Sequence, residues 1–290
     1  MLFNLHTHTV FSDGTSAPEE YLKEALRQGF SVLGFSDHSP VPFKNSFAIH
    51  EERLDEYCKA IRGLSPSPFS PPLEGRGRGW GIKILLGLEI DYIPGVTKSI
   101  EEYRNKKQFD YFIGSVHLVR NGSDPGLWFI DGPDISIYDQ GLNDFFQGDI
   151  RHGVTSYYHQ INQMILTQKP DIIGHLDKIK MHNRNRYFQE DEKWYIQLVD
   201  ETLDLIRENE CVVEVNTRGI YKKRSDTLYP GQEILRKINT LKIPVTISSD
   251  AHKPNELSLY FEETKQLLSE IGFKSLSVIT SEGWEEVSLI

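Results

Sequence analysis

The chain begins Met1-Leu2-Phe3-Asn4-Leu5-His6-Thr7-His8-Thr9-Val10-Phe11-Ser12-Asp13-Gly14, and the reading of this stretch decides the rest. Leu2, Phe3 and Leu5 give an apolar run at the start, as a buried strand does. His6 and His8 stand two apart, and Asp13 follows. Along a strand, residues i and i+2 project to one side, so His6 and His8 can aim two imidazoles at one point. A metal at a strand end accounts for that geometry. On spacing alone, a pair of satisfied core or surface histidines accounts for it too.

The remaining sequence shifts that balance. Other apolar, strand-like runs also end in His, Asp or Glu. Val32 to Phe35 leads to Asp37-His38, and Ile84 to Leu88 leads to Glu89. Phe112 to Val116 leads to His117, Ile172 to Gly174 to His175, Val212-Val213 to Glu214, and Val245 to Ser249 to Asp250-Ala251-His252. Parallel β/α barrels carry their active sites where the strands end, at the C-terminal face. The pattern predicts one polymetal site assembled from the whole chain.

Helical segments alternate with these runs. Pro18-Glu19-Glu20 opens a helix that Gly29 stops. Residues 51 to 64 form a second amphipathic helix, and 99 to 108 a short charged one. Residues 120 to 150 read as irregular, a lid or wall over the site. Helices follow over about 153 to 168, 191 to 210, 232 to 242 and 256 to 271, with a short apolar tail after the last. The β/α rhythm counts about seven units and shows no break, so residues 1–290 are expected to form a single α/β domain. One insert departs from the rhythm. Ser65 to Gly81, with four prolines and four glycines, cannot sustain a helix or a central strand and is expected to be a disordered surface loop.

The net charge is −10, from 32 basic and 42 acidic residues. That argues against a broad nucleic-acid surface, yet a local cluster of metals and arginines still accommodates a small anion. Two cysteines, Cys58 and Cys211, make no disulfide framework and fit a reducing compartment. The N-terminus lacks a basic region followed by an apolar core, so no signal peptide is expected, and no apolar run reaches membrane-spanning length. A soluble, cytoplasmic protein with no membrane partner is expected; the oligomeric state is left open.

His, Asp and Glu without paired cysteines favour Zn, Mn or Fe over an iron–sulfur cluster. His6, His38, His117, His175 and His252 at strand ends, with His8 beside His6, are too many for one tetrahedral ion. Asp13, Glu89 and Asp250 add bridging capacity. Such a site can generate a nucleophile from water, neutralise a phosphate and assist a leaving alkoxide. Phosphoester hydrolysis is therefore favoured over the alternative, hydrolysis of a ring amide or deamination. Arg218, just after a strand, can fork onto phosphate oxygens or form a surface salt bridge. His50, His152, His159 and His182 lie away from strand ends and read as structural or exposed. Of these, His152 and His182 flank the possible lid.

The ordered set His6-Thr7-His8, Ser12-Asp13-Gly14, Asp37-His38-Ser39, Gly87-Leu88-Glu89, Ser115-Val116-His117, Gly174-His175-Leu176-Asp177, Glu214-Val215-Asn216-Thr217 and Ser249-Asp250-Ala251-His252 resembles the PHP (polymerase and histidinol phosphatase) superfamily. More narrowly, it resembles the monofunctional histidinol-phosphatases. The resemblance implies a distorted (β/α)7 barrel with its metal site at the C-terminal ends of the strands, and three divalent ions (Zn, Mn or Fe). His6, His8, Glu89 and Asp250 would hold one ion. Glu89, bridging, would share a second with His117 and His175. Asp13, His38 and His252 would hold the third.

The same resemblance implies hydrolysis of a small phosphorylated substrate, L-histidinol phosphate, to L-histidinol and phosphate. Asp13, His252 and Arg218 are then expected to serve catalysis. Arg218, Glu214 and His38 are expected at the substrate, Glu214 either meeting its amino group or orienting a metal ligand. The alternatives are a PHP-type phosphoesterase for a nucleotide, nucleic acid or phosphotyrosine, and a metal-holding domain without catalysis.

Overall fold

A computed structural model describes residues 1–64, 81–106, 109–122, 124–280 and 282–289. In chain order its elements are β1 (Phe3–Asn4), α1 (Pro18–Gln28), β2 (Val32–Phe35), α2 (Leu54–Gly63), β3 (Lys83–Asp91), α3 (Ile100–Lys106) and β4 (Tyr111–Ser115). A hairpin of β5 (Leu118–Arg120) and β6 (Leu127–Phe129) precedes α4 (Ile135–Phe146) and α5 (Ile150–Gln168). Then come β7 (Ile172–Ile173), α6 (Lys193–Glu208), β8 (Val212–Asn216), α7 (Arg218–Tyr221), α8 (Gln232–Leu241), β9 (Val245–Ser248), α9 (Phe261–Ile271), β10 (Ser275–Thr280) and β11 (Gly283–Ser288).

Seven strands pair in the order β1-β2-β3-β4-β7-β8-β9, and every pairing is parallel. Beyond β9 the chain returns to β1. The His8 amide donates to the Ala251 carbonyl (2.8 Å) and the Ala251 amide to the His6 carbonyl (3.1 Å). These two bonds close the ring at its C-terminal rim, and the expected (β/α)7 barrel is what forms. β2, β4, β8 and β9 are buried along their whole length, as strands covered on both faces must be. That is why they read as continuous apolar runs rather than alternating ones.

The helices follow their sequence signals. α1 starts with Pro18 at its first position and acids behind it, and ends on Gly29 at φ 79°, whose amide caps the Ala25 and Leu26 carbonyls. A glycine takes that left-handed conformation without a Cβ clash. α6 buries Tyr195, Leu198, Val199, Thr202, Leu203 and Ile206 on one face.

Three expectations need correction. The described residues of 120 to 150 are not irregular throughout: they hold the end of β5, all of β6 and α4. Trp128 is fully buried, its ring 4.7 Å from Tyr138 and 5.4 Å from Phe146, and its Nε1–H donates to the Tyr138 carbonyl (2.8 Å). The aromatic residues of this segment are thus a small core. The C-terminal tail is an antiparallel hairpin of β10 and β11, with Leu276 and Val278 buried. The last helix begins at Phe261, because Glu256 ends a short turn in which it accepts from Lys222 Nζ (2.5 Å) and the His252 amide (3.0 Å). The Pro/Gly-rich insert expected at 65–81 lies outside the described residues up to Gly81. Among the described residues, no helix is long and apolar enough to cross a membrane.

Candidate metal centre

The C-terminal rim gathers the histidines and carboxylates of six strand ends. His6 and His8 follow β1, His38 follows β2, Glu89 and Asp91 lie on β3, His117 follows β4, His175 follows β7, and Asp250 and His252 follow β9. Their donor atoms fall into clusters that could each hold a metal ion. One joins His6, His8 and Asp250, a second Glu89, His117 and His175, and a third His8, Asp13, His38 and His252.

Glu89 links the first two clusters. Its Oε2 is 3.2 Å from His6 Nε2 and 3.4 Å from His8 Nε2; its Oε1 is 3.0 Å from His175 Nε2 and 3.6 Å from His117 Nε2. His8 links the first and third. Its Nε2 is 3.3 Å from Asp250 Oδ1, and its Nδ1 is 3.6 Å from Asp13 Oδ1. The structure thus brings together every residue expected to ligate, and it places His8 against two clusters rather than one.

Four of the histidines are backed in the same way. His6 Nδ1–H donates to Glu214 Oε1 (2.5 Å), His38 Nδ1–H to Asp91 Oδ2 (2.9 Å), His117 Nδ1–H to Asp91 Oδ1 (2.5 Å) and His252 Nδ1–H to the Asp250 carbonyl (3.0 Å). Each acceptor fixes the tautomer and leaves the Nε2 lone pair facing the centre, the arrangement in which histidines bind metals. Asp91 could itself join His38 and His117 in a donor group. Its two short bonds to their Nδ1 atoms instead make it the residue that orients both.

The fit to metal ions rests on what the protein leaves unpaired. His6 Nε2 and both ring nitrogens of His8 are buried and accept or donate no hydrogen bond. A buried polar atom without a partner costs about 1–3 kcal/mol; a cation removes that cost. Charge points the same way. Burial pushes Glu89 and Asp250 toward the neutral form, but His6, His38 and His117 hold Glu89, and Arg218 and His6 hold Asp250, well below the usual carboxylate range. Burial and the neighbouring His252 and His38 drive His8 down to about 3, so it stays neutral, as a ligand must. The donor set, nitrogen and oxygen without sulfur, suits Zn, Mn or Fe.

Backbone strain sits at two donors. Asp250 has φ 51° and His175 φ 20°, left-handed values that non-glycine residues adopt at a cost of order 1–3 kcal/mol. Both are pinned: the His175 amide donates to Glu214 Oε2 (2.7 Å) and Arg218 Nη1 to the Asp250 carbonyl (2.6 Å).

Glu214 is fully buried behind His6 and receives His6, His175, Asn216 and Ser248. These contacts fit the orienting role, one of the two expected of it. Asp37, beside His38, is in none of the clusters. Its Oδ1 accepts from the Thr9 amide (2.7 Å) and Ser12 Oγ (2.6 Å), pinning the turn after His8, and burial raises it to about 6. Arg218 lies at the rim, Nε 3.9 Å from Asp250 Oδ2.

Sequence reasoning missed Asp91, Asp131 and Lys178. Asp91 had a signal: it stands two after Glu89 on β3, on the same side. Asp131 follows the β5–β6 hairpin, its Oδ2 3.8 Å from His117 Nε2 and 3.0 Å from Lys178 Nζ. Neither it nor Lys178 has a spacing that marks it. His182 Nε2 bonds the Gly132 carbonyl (2.7 Å) and so fastens the segment that carries Asp131. His152 packs edge-on against Phe146.

A profile of the PHP domain matches residues 4–218. The chain belongs to the PHP domain family. Within it, the chain is 27% identical over 279 residues, 95% of its length and 96% of the relative's, to the probable histidinol-phosphatase of Deinococcus radiodurans. To the histidinol-phosphatase of Bacillus subtilis it is 28% identical over 277 residues, 89% and 96% of the two chains. Its fold is similar to that of the histidinol phosphate phosphatase of Lactococcus lactis subsp. lactis, solved with zinc, L-histidinol and phosphate. The TM-score is 0.68 at 21% identity, covering 98% of each chain.

Proposed function

We propose that this PHP-family chain is a metal-dependent phosphomonoesterase that hydrolyses L-histidinol phosphate to L-histidinol and phosphate. The observation that carries the reading is the set of linked donor clusters at the barrel rim, joined through Glu89 and His8. Support for the substrate comes from the relatives of similar length named histidinol-phosphatases.

In this reading His6, His8, Glu89 and Asp250 hold one divalent ion, Glu89, His117 and His175 a second, and Asp13, His38 and His252 a third, with His8 placed to reach this last cluster too. Such ions supply an acidified water as nucleophile and neutralise the phosphoryl oxygens. The residues do the rest. Glu214 and Asp91 hold His6, His38 and His117 in the ligating tautomer. Asp13, its Oδ2 3.1 Å from His252 Nε2, is kept ionised by His252 and His38 against the effect of burial and stands at the partly open side of the centre. Arg218 keeps its charge beside Asp250 and offers the guanidinium that meets the phosphate.

The test is phosphate release from L-histidinol phosphate by metal-replete protein and by His8→Ala and Asp250→Ala. Release that disappears together with bound metal in both variants supports the reading. Turnover retained after the loss of either residue sinks it.

A further inference from the structure

Two phenylalanines stand beside the metal centre without a place in the core. Phe47, in the loop that follows His38, and Phe129, at the end of β6, are both half-buried. Among the described residues, neither ring belongs to either of the two hydrophobic clusters that pack the barrel.

Both rings are nevertheless held. Asn45 Oδ1 accepts from the Phe47 amide (3.0 Å) and the Ala48 amide (2.7 Å). The Ile49 amide donates to the His38 carbonyl (3.0 Å), so the loop folds back on the histidine it follows. Phe129 pairs across its hairpin with Leu118, the residue after His117, and the Ile130 amide donates to the His117 carbonyl (3.1 Å). Gly132 lies close against the ring. A Cβ there would meet Phe129 Cε1 at 3.0 Å, and His182 fixes the Gly132 carbonyl.

The two rings act together. They are nearly parallel, with planes at 21° and centroids 6.4 Å apart, within the range of offset aromatic pairs. Phe47 also meets His38 edge-on, centroids 5.6 Å apart, and His38 in turn meets His117 at 5.2 Å. The pair thus forms an aromatic wall on the His38 and His117 side of the centre. Lys178, Asp131 and Arg218, which also border the centre, are charged. L-Histidinol phosphate carries a flat imidazole on a short carbon chain from its ester oxygen. With the phosphoryl group on the metals, that ring falls among the first side chains around the donors. An imidazole stacks on a phenyl ring when neutral and gains a cation–π attraction when protonated.

We propose that Phe47 and Phe129 form the wall that takes the imidazole ring of the substrate, and so set a preference for L-histidinol phosphate over phosphate esters without a ring. This rests on the phosphomonoesterase reading and deepens it with the residues that choose the leaving group.

The test compares L-histidinol phosphate with L-alaninol phosphate, which keeps the amine and the phosphate ester but has no ring, on the metal-replete protein. Phe47→Ala and Phe129→Ala should each lower the ratio of the two kcat/KM values by about 10-fold. The change should lie in KM for L-histidinol phosphate, at unchanged metal content by elemental analysis. Phe47→Tyr and Phe129→Tyr keep a ring and should hold the ratio within about threefold of the parent's. Titration calorimetry with L-histidinol should rank the variants in the same order without turnover.

A ratio that either alanine variant leaves within about twofold of the parent's overturns the wall. So does a loss shared equally by both esters, a loss that accompanies loss of metal, or one that tyrosine fails to restore, since the rings then only shield His38. A parent that turns over both esters equally overturns it too. A parent that binds L-histidinol through both rings yet releases no phosphate from either ester leaves the wall standing and overturns the phosphatase reading instead.

Discussion

Replacing Asp91 by Asn tests how the centre is built. Asp91 is 1% exposed and takes the Nδ1–H of two histidines, His38 at 2.9 Å and His117 at 2.5 Å. Those histidines serve different clusters, His38 with Asp13 and His252, His117 with Glu89 and His175. Asparagine is nearly isosteric and keeps one acceptor oxygen, so one histidine retains its partner. The other meets an NH2 group. To avoid a donor facing a donor, that imidazole moves its proton to Nε2, the atom that faces the centre, and can no longer ligate. Removing such a supporting partner costs about 10–100-fold in metal affinity or activity. Asp91→Asn should therefore lose about that factor at one cluster. Asp91→Ala, which strips both histidines, should lose about the product of two such factors, up to roughly 10⁴-fold if they act independently. The assay is metal retained against graded chelator, followed by phosphate release at saturating metal. Asp91→Asn with metal retention and turnover within twofold of the parent would refute the reasoning.

Other outcomes follow from the same geometry. In the metal-free chain burial pulls His6, His38 and His117 down, but Glu214, Glu89, Asp91 and Asp131 together raise all three above the ordinary histidine value. They therefore hold protons to a higher pH than a free histidine does, and metal must displace the protons they hold. Metal affinity should fall as pH drops, starting above the usual histidine range, and calorimetry in buffers of different protonation enthalpy should show a proton release on binding that grows as the pH is lowered. His8, near 3, contributes no proton to that count. Gly14→Ala should destabilise by about 1–3 kcal/mol, because the added Cβ meets the His8 carbonyl oxygen at 2.1 Å and the Thr9 nitrogen at 2.6 Å; a thermal melt identical to the parent's would show that the turn yields freely. Chelation should also lower the melting temperature, since the buried carboxylates and imidazoles lose the ions that reconcile them.

Much of this was legible in the sequence because a parallel barrel writes its site at predictable places. Each strand is a short apolar run, and the side chain just past it faces the rim, so His38, Glu89, His117, His175 and Asp250 marked themselves. Their backing residues did not all do so. Asp91 was readable from the alternation on β3, and Glu214 was seen but its role was not settled, because nothing in Val213-Glu214-Val215 says that the carboxylate turns to His6 rather than to solvent. Asp131 and Lys178 meet only through the β5–β6 hairpin and the turn after β7. Residues 120 to 150 carry too little periodicity to announce that Trp128, Tyr138 and Phe146 would order them. Long-range packing, absent from any local pattern, decided that segment.

The measurement closest to the central claim is kcat/KM of the metal-replete protein for L-histidinol phosphate, set beside a generic phosphate monoester and a dinucleotide. The account predicts a strong preference for L-histidinol phosphate that chelator abolishes and divalent metal restores. Equal or better turnover of the other esters would contradict the substrate assignment, and no release from any of them would contradict hydrolysis itself.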